Sequence, residues 1–331
     1  MHFDLAGKSI WVAGHTGLVG SALVRRLQRE NCTLVTATRA QLDLRQQPAV
    51  DRFIHDSRPD AIIIAAATVG GILANQTRPA EFLADNLLIA TNIISSGHSN
   101  DVDRLLFLGS SCIYPRLAAQ PISEDALLTG PLEPSNEWYA IAKIAGIKLV
   151  QAFRAQYGRD YIAAMPTNLY GTADNFDPLL SHVLPALIRK IHEAKLASAP
   201  SITIWGTGTP RREFLHADDC ADAIVFLLKA YSSGEPINVG FGDDISILNL
   251  AHTIARIIGY SGEILPDPSK PDGTPRKLLD STRLRQLGWS PSVDLETGIT
   301  LTYRWFLAHS AVEPRSGPAA KDIEEKRAGS A

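Results

Sequence analysis

Residues 8–29 read KSIWVAGHTGLVGSALVRRLQR. The run at 8–13 has the character of a strand, and 18–29 carries apolar side chains at helical spacing. Between them stand Gly14, Gly17 and Gly20, with Thr16, Leu18 and Val19 in the same turn. Glycines so spaced permit a tight turn, let backbone approach a pyrophosphate, and let helix pack closely on strand, while the helix N-terminus attracts phosphate. An ordinary glycine-rich turn is the rival reading; the strand before and the amphipathic helix after argue against it. The stretch predicts a dinucleotide-binding βαβ unit.

The same alternation continues outward. Strand-length apolar runs at 34–38, 61–66, 104–109 and 161–165 are spaced by helical patterns that include 79–97 and 140–157. This rhythm predicts an α/β fold with a doubly wound parallel sheet of Rossmann type, because parallel strands need crossovers and are covered on both faces. After Gly171 the rhythm changes. A polar loop leads into a helix with Leu184, Leu187, Ile188 and Ile191 on one stripe. Strands at 201–205 and 236–239 follow, with helices at 218–229, 248–258, 281–287 and 295–308. Residues 1–171 are expected to form the dinucleotide-binding domain, with 213–241 returning to it, and 172–310 mainly a smaller α/β substrate-binding domain. Polar residues 311–331 are expected to be a disordered tail.

Composition narrows the partners. The 331 residues are 45% hydrophobic, ample for sizeable cores, and the net charge of -3 offers no basic excess for nucleic acid or an anionic membrane. No run approaches the roughly 18 apolar residues of a membrane span, and the first residues lack the basic and apolar regions of a signal peptide. Cys32, Cys112 and Cys220 are odd in number and scattered, which fits a reduced compartment. A cytoplasmic protein with no nucleic-acid or membrane partner is expected. Dispersed histidines give no zinc-ligand spacing, so no structural metal is expected either.

Three features suggest chemistry. The second predicted strand runs LVTATR (34–39), with Arg39 where a carboxylate would hold the ribose of NAD. An arginine there can pair with an extra phosphate and predicts NADP(H), a solvated surface arginine being the alternative. Asp43 and Leu44, just beyond, are expected near the adenine. Tyr139 and Lys143, four apart at the start of a helix, share a face and suit proton transfer, since an adjacent ammonium favours a phenolate. Lys143 could also bond the nicotinamide ribose. Taken alone, the pair reads more readily as helix surface, and its context reverses that reading. LLFLGSSCIYP (105–115) is an apolar strand whose carboxyl end, Leu108, Gly109, Ser110 and Ser111, falls where such sheets bind ligands. If the backbone stays extended, Ser110 and Cys112 project to one side. Ser110 would then bond a substrate carbonyl as hydride arrives, with Tyr139 delivering the proton.

The glycine trio, the Ser110 strand end and the Tyr139/Lys143 pair resemble the extended short-chain dehydrogenase/reductases. Longer strings narrow this: LLFLGSSCIYP (105–115), YAIAKIAGIKL (139–149), MPTNLYG (165–171), REFLHADD (212–219) and KPDGTPRKLLD (270–280) are similar to those of the GDP-L-fucose synthase family. The resemblance covers about residues 5–309. It implies a homodimer that epimerises C3 and C5 of GDP-4-keto-6-deoxy-D-mannose and then reduces C4 with NADPH. By matching motifs it gives Cys112 and His182 the acid and base roles on opposite faces of the sugar. It sets Pro166, Thr167, Asn168 and Leu169, with His182, against the cofactor, and gives Lys190, Trp205, Arg212 and Asp272 to the nucleotide sugar.

Each carries a bland rival: a small buried hydrophobe for Cys112, a helix cap or surface residue for His182, surface charge or core aromatic for the rest. Thr16 stands where family members often have arginine, so discrimination against NADH rests on Arg39. A sibling 4-epimerase or 4,6-dehydratase would keep the Gly, Ser, Tyr and Lys set. Dehydratases usually carry an acidic pair where this chain has Ser111 and Cys112. A silent NADP-sensing or scaffolding protein would typically lose the tyrosine or lysine.

Overall fold

β1 (Ser9–Ala13) passes through the glycine turn into α1 (Leu18–Leu27). There follow β2 (Thr33–Val35), α2 (Gln47–Ser57), β3 (Ala61–Ile64), α3 (Ile72–Thr77), α4 (Pro79–Ser99), β4 (Arg104–Leu108), α5 (Glu137–Tyr157) and β5 (Asp160–Pro166). Next come β6 (Asn168–Tyr170), α6 (Val183–Leu196), β7 (Ser201–Trp205), β8 (Arg211–Arg212), β9 (Phe214–His216), α7 (Ala217–Ala230) and β10 (Ile237–Val239). The last described elements are β11 (Ile245–Ser246), α8 (Ile247–Ile258), β12 (Glu263–Asp267), β13 (Arg276–Lys277), α9 (Thr282–Gln286) and α10 (Leu295–His309). This computed structural model describes residues 3–178, 180–270 and 272–309; the tail expected at 311–331 lies outside them.

The main sheet is parallel, in the order β10-β5-β4-β3-β1-β2. Strand order reverses between β1 and β3, so a crevice opens beyond their carboxyl ends. Side chains alternate between two cores. Leu106 and Leu108 of β4 join the layer of α1 and α7, whereas Leu105 and Phe107 join that of α2, α4 and α5. A strand buried on both faces must be apolar throughout, which is why these strands read as unbroken runs. A third core gathers α6, α8, α10, β7 and β12, and contains the predicted stripe of Leu184, Leu187, Ile188 and Ile191. Among the described residues no helix is long and apolar enough to cross a membrane.

Two shifts of boundary bear on the site. The strand expected over 34–38 stops at Val35. Thr38 turns away, its backbone N–H and hydroxyl both donating to Gln41 Oε1 at 2.9 Å while its carbonyl accepts from Gln41 and Leu42. The helix expected from 140 begins at Glu137, which places Tyr139 in its first turn.

Candidate active site

The glycine turn sits at the reversal of strand order. Gly14 has φ +88°, and a Cβ there would fall 2.6 Å from the Ala66 backbone. At Gly20 a Cβ would lie 2.0 Å from the Gly14 carbonyl, so α1 can pack against the turn only without a side chain. Gly17 is different: its Cβ would meet only the Gly14 carbonyl, at an ordinary 3.6 Å. The protein itself leaves room at Gly17, beside exposed Thr16, and a ligand's backbone approach is the remaining reason for glycine. Gly17 caps α1 without a side-chain bond and the first turn holds no acid, leaving the N-terminal N–H groups open to phosphate. Leu18 and Val19 pack inward, and His15 Nδ1 is buried without a partner. The turn fits a dinucleotide.

At the rim, Arg39 is exposed in the turn after β2 and makes no hydrogen bond among the described residues. Its charge reaches Asp43, whose carboxyl is held down at about 2 chiefly by hydrogen bonds from Arg45. Arg45 bonds Asp43 at 2.8 Å and Asp85 at 3.2 Å, fastening this loop to α4. Leu44 packs on the core of α2, α4 and α5.

Beyond β4 the expectation of extended backbone through Cys112 fails. Gly109 N–H still bonds the Ala164 carbonyl at 2.8 Å, and Ser110 is extended, but 111–113 close into a turn of 3-10 helix. Ser110 Oγ accepts the Cys112 N–H at 3.2 Å and caps that turn, with Ser111 buried beneath. Ser110 and Cys112 nevertheless both come to Tyr139, which feels the sulfur electrostatically and shares a hydrogen bond with the Ser110 hydroxyl.

The expected effect of Lys143 on Tyr139 is also corrected. Lys143 is 4% exposed, and its Nζ donates to the Leu108 carbonyl at 2.7 Å, 4.8 Å from the Phe107 ring centre and 5.8 Å from that of Tyr139. Burial lowers its pKa to about 7, so the ammonium is itself costly there. Tyr139 keeps a partly exposed ring, but burial around its hydroxyl, then the Cys112 sulfur, push its pKa up against the Ser110 bond. The side chain is held as a phenol, the proton-donating form.

Cys112 Sγ accepts from Asn136 Nδ2 at 3.3 Å and from Lys277 Nζ at 3.7 Å, and Arg212 lies within its electrostatic reach. His182 is the N-cap residue of α6 yet makes no side-chain cap bond, so the capping rival fails. Its side chain stays accessible while protein crowds the ring; burial, then the nearby Lys277 cation, lower its pKa. Lys277 thus links Cys112 to His182. Thr167 N–H bonds the Val239 carbonyl at 3.0 Å and Asn168 Nδ2 the Glu213 carbonyl at 2.8 Å, fixing the step from Pro166 at the end of β5 to Leu169 in β6.

The residues assigned to a nucleotide sugar gather around β7 and β8. Trp205 is 60% exposed, a flat apolar face in the open. Lys190 Nζ donates to the Thr203 carbonyl on the same strand at 2.5 Å. Asp272 accepts the Thr207 N–H at 2.6 Å beside Gly206, and its carboxylate and Glu133 act on Arg212. Sequence reasoning passed over Lys277, although it lies inside the quoted 270–280 string. It also passed over Asn136, which reads as an ordinary helix cap.

Residues 10–240 match the NAD dependent epimerase/dehydratase family. The GDP-L-fucose synthase of Sinorhizobium fredii is 58% identical over 93% of this chain and 98% of its own length. That of Escherichia coli (strain K12) is 53% identical over 92% and 98%. Among solved structures, a GDP-6-OMe-4-keto-L-xylo-heptose reductase from C. jejuni superposes with a TM-score of 0.88 at 35% identity, covering 93% of this chain and all 100% of that one. A GDP-L-fucose synthetase from Naegleria fowleri bound to NADP gives 0.86 at 28% identity, covering 95% and 98%. With its glycine turn, Ser-Tyr-Lys set and adjoining thiol, the chain belongs to the NAD dependent epimerase/dehydratase family and, within it, to the GDP-L-fucose synthases.

Proposed function

We propose that this chain forms GDP-L-fucose from GDP-4-keto-6-deoxy-D-mannose, inverting C3 and C5 and then reducing the C4 ketone with NADPH. The observation that carries the reading is the meeting of Ser110, Tyr139 and Cys112 beyond the carboxyl end of β4. Bound NADPH supplies a hydride. Tyr139, kept as a phenol, gives its proton to the C4 oxygen while Ser110 bonds the same atom. Before that, the same two hydroxyls polarise the ketone, which acidifies the hydrogens on both flanking carbons and stabilises the enolate left when one departs. Cys112 and His182 exchange protons with those carbons from opposite faces.

In this reading residues 1–171, with 213–241, hold the cofactor. The turn from Gly14 to Gly20 takes its pyrophosphate, Arg39 its 2′-phosphate, Lys143 its ribose, and 166–169 back its nicotinamide. The part from 172 to 310 mainly takes the sugar nucleotide, with Lys190 and Arg212 offsetting diphosphate charge, Trp205 stacking on the base and Asp272 orienting it. We propose a cytoplasmic homodimer joined through α4 and α5, whose exposed Leu88 and Ile141 offer apolar surface.

Incubating the chain with GDP-4-keto-6-deoxy-D-mannose and NADPH should lower the absorbance at 340 nm and yield GDP-L-fucose. NADPH consumption yielding only an unepimerised 6-deoxy sugar would reduce the reading to a plain reductase, and no consumption would overturn it.

A further inference from the structure

Asn136 stands at the N-cap of α5 with φ -140° and ψ 19°, yet its side chain takes no bond from the helix's first turn. Asparagine at that position ordinarily accepts such a bond, so its orientation answers to something else. Its Nδ2 donates to Cys112 Sγ at 3.3 Å. Its Oδ1 is buried and has no donor. The residue is fixed from behind, because its N–H bonds the Glu133 carbonyl at 3.1 Å and α3 packs on the 134–136 turn.

We propose that Asn136 is a positioning residue for epimerisation: its amide nitrogen aims and stabilises the Cys112 thiolate, while its free Oδ1 accepts a hydrogen bond from a hexose hydroxyl beside the carbon being inverted. The inference rests on the function proposed above. In the step concerned, the thiolate takes a proton from carbon and becomes a thiol, and the electron pair moves onto the C4 oxygen. Asn136 gains and loses no proton. Donation to a charged sulfur favours the thiolate over the thiol. Other groups facing the sulfur are Lys277 from β13, Arg212 from β8 and Tyr139 from α5, with Glu133 acting on Arg212. All of them remain in the variants below.

The test uses Asn136→Ala and the isosteric Asn136→Asp in the full chain, each accepted as folded if it still binds NADPH. Alkylation of the Cys112 peptide by iodoacetamide, followed by mass spectrometry against pH without sugar, reads the thiol directly. At neutral pH the alkylation should slow by about threefold in the alanine variant and by about tenfold or more in the aspartate variant, where an anion replaces the donor. Deuterium uptake from D2O at C3 and C5, followed without NADPH, should fall by about 10- to 100-fold in both variants, well beyond any fall in the oxidation of GDP-L-fucose by NADP, a step that needs no epimerisation. Alkylation no slower in the folded aspartate variant, or an equal loss of exchange and of GDP-L-fucose oxidation, overturns the assignment. If the unaltered chain neither exchanges nor oxidises NADPH, the proposed function fails instead, and the alkylation arm still decides whether Asn136 governs the thiol.

Discussion

Lys143 and Tyr139 are each shifted by burial toward the neutral form. An unfolded lysine titrates near 10.4, against about 7 for the buried Lys143. Between those values the unfolded chain binds more protons than the folded one, so this group's contribution to stability grows as pH rises from about 7 toward 10 and is lost as pH falls back. Lys143→Met removes that dependence. Urea unfolding should show the unaltered chain gaining about 2 kcal/mol on the variant between pH 7 and pH 9; parallel stabilities across that range would refute the buried-cation account. The four-residue spacing made the pair legible in the sequence. The sign of the tyrosine shift was not, because spacing says nothing of how deeply the hydroxyl lies, or that the lysine spends its proton on the Leu108 carbonyl.

The glycine turn and α1 separate packing from ligand binding. Gly20→Ala forces a methyl into the Gly14 carbonyl, and should cost about 3 kcal/mol in denaturant unfolding. Gly17→Ala meets only ordinary contacts, and should cost about 1 kcal/mol or less, yet weaken NADPH by about tenfold or more in a fluorescence titration, since its methyl stands where phosphate approaches. Equal losses of stability in the two variants would contradict this division. Trio, strand and helix were readable from residues 8–29. The unequal burdens of the glycines were not, because they depend on how closely α1 closes on the Gly14 carbonyl and, for Gly14 itself, on Ala66 just after β3. The turn at 111–113 escaped for a local reason: Ser110 and Ser111 can bond their own backbone, an alternative that a strand pattern does not reveal.

Across the whole molecule, Glu213 is a seam. It is fully buried; its carboxylate accepts the N–H groups of Gly242 at 2.7 Å and Leu279 at 3.1 Å, and its carbonyl accepts Asn168 Nδ2. It thereby holds the main sheet to the segment bearing Lys277, which pairs across to Arg212. Glu213→Ala leaves the buried Leu279 N–H unpaired and frees that of exposed Gly242, and should destabilise by about 2 kcal/mol, with KM for the nucleotide sugar rising more than kcat falls. An unchanged KM would detach the seam from the site. Two-residue strands such as β8 and β13 carry no periodicity, so their pairing was invisible in the sequence even though Arg212 on β8 had been noticed. The central claim is that one crevice performs both proton exchange and reduction. Its most direct test is to run the conversion in D2O with NADPH and examine the product by NMR. The account predicts GDP-L-fucose with deuterium at C3 and C5 and protium at C4; protium retained at C3 and C5, or deuterium at C4, would contradict it.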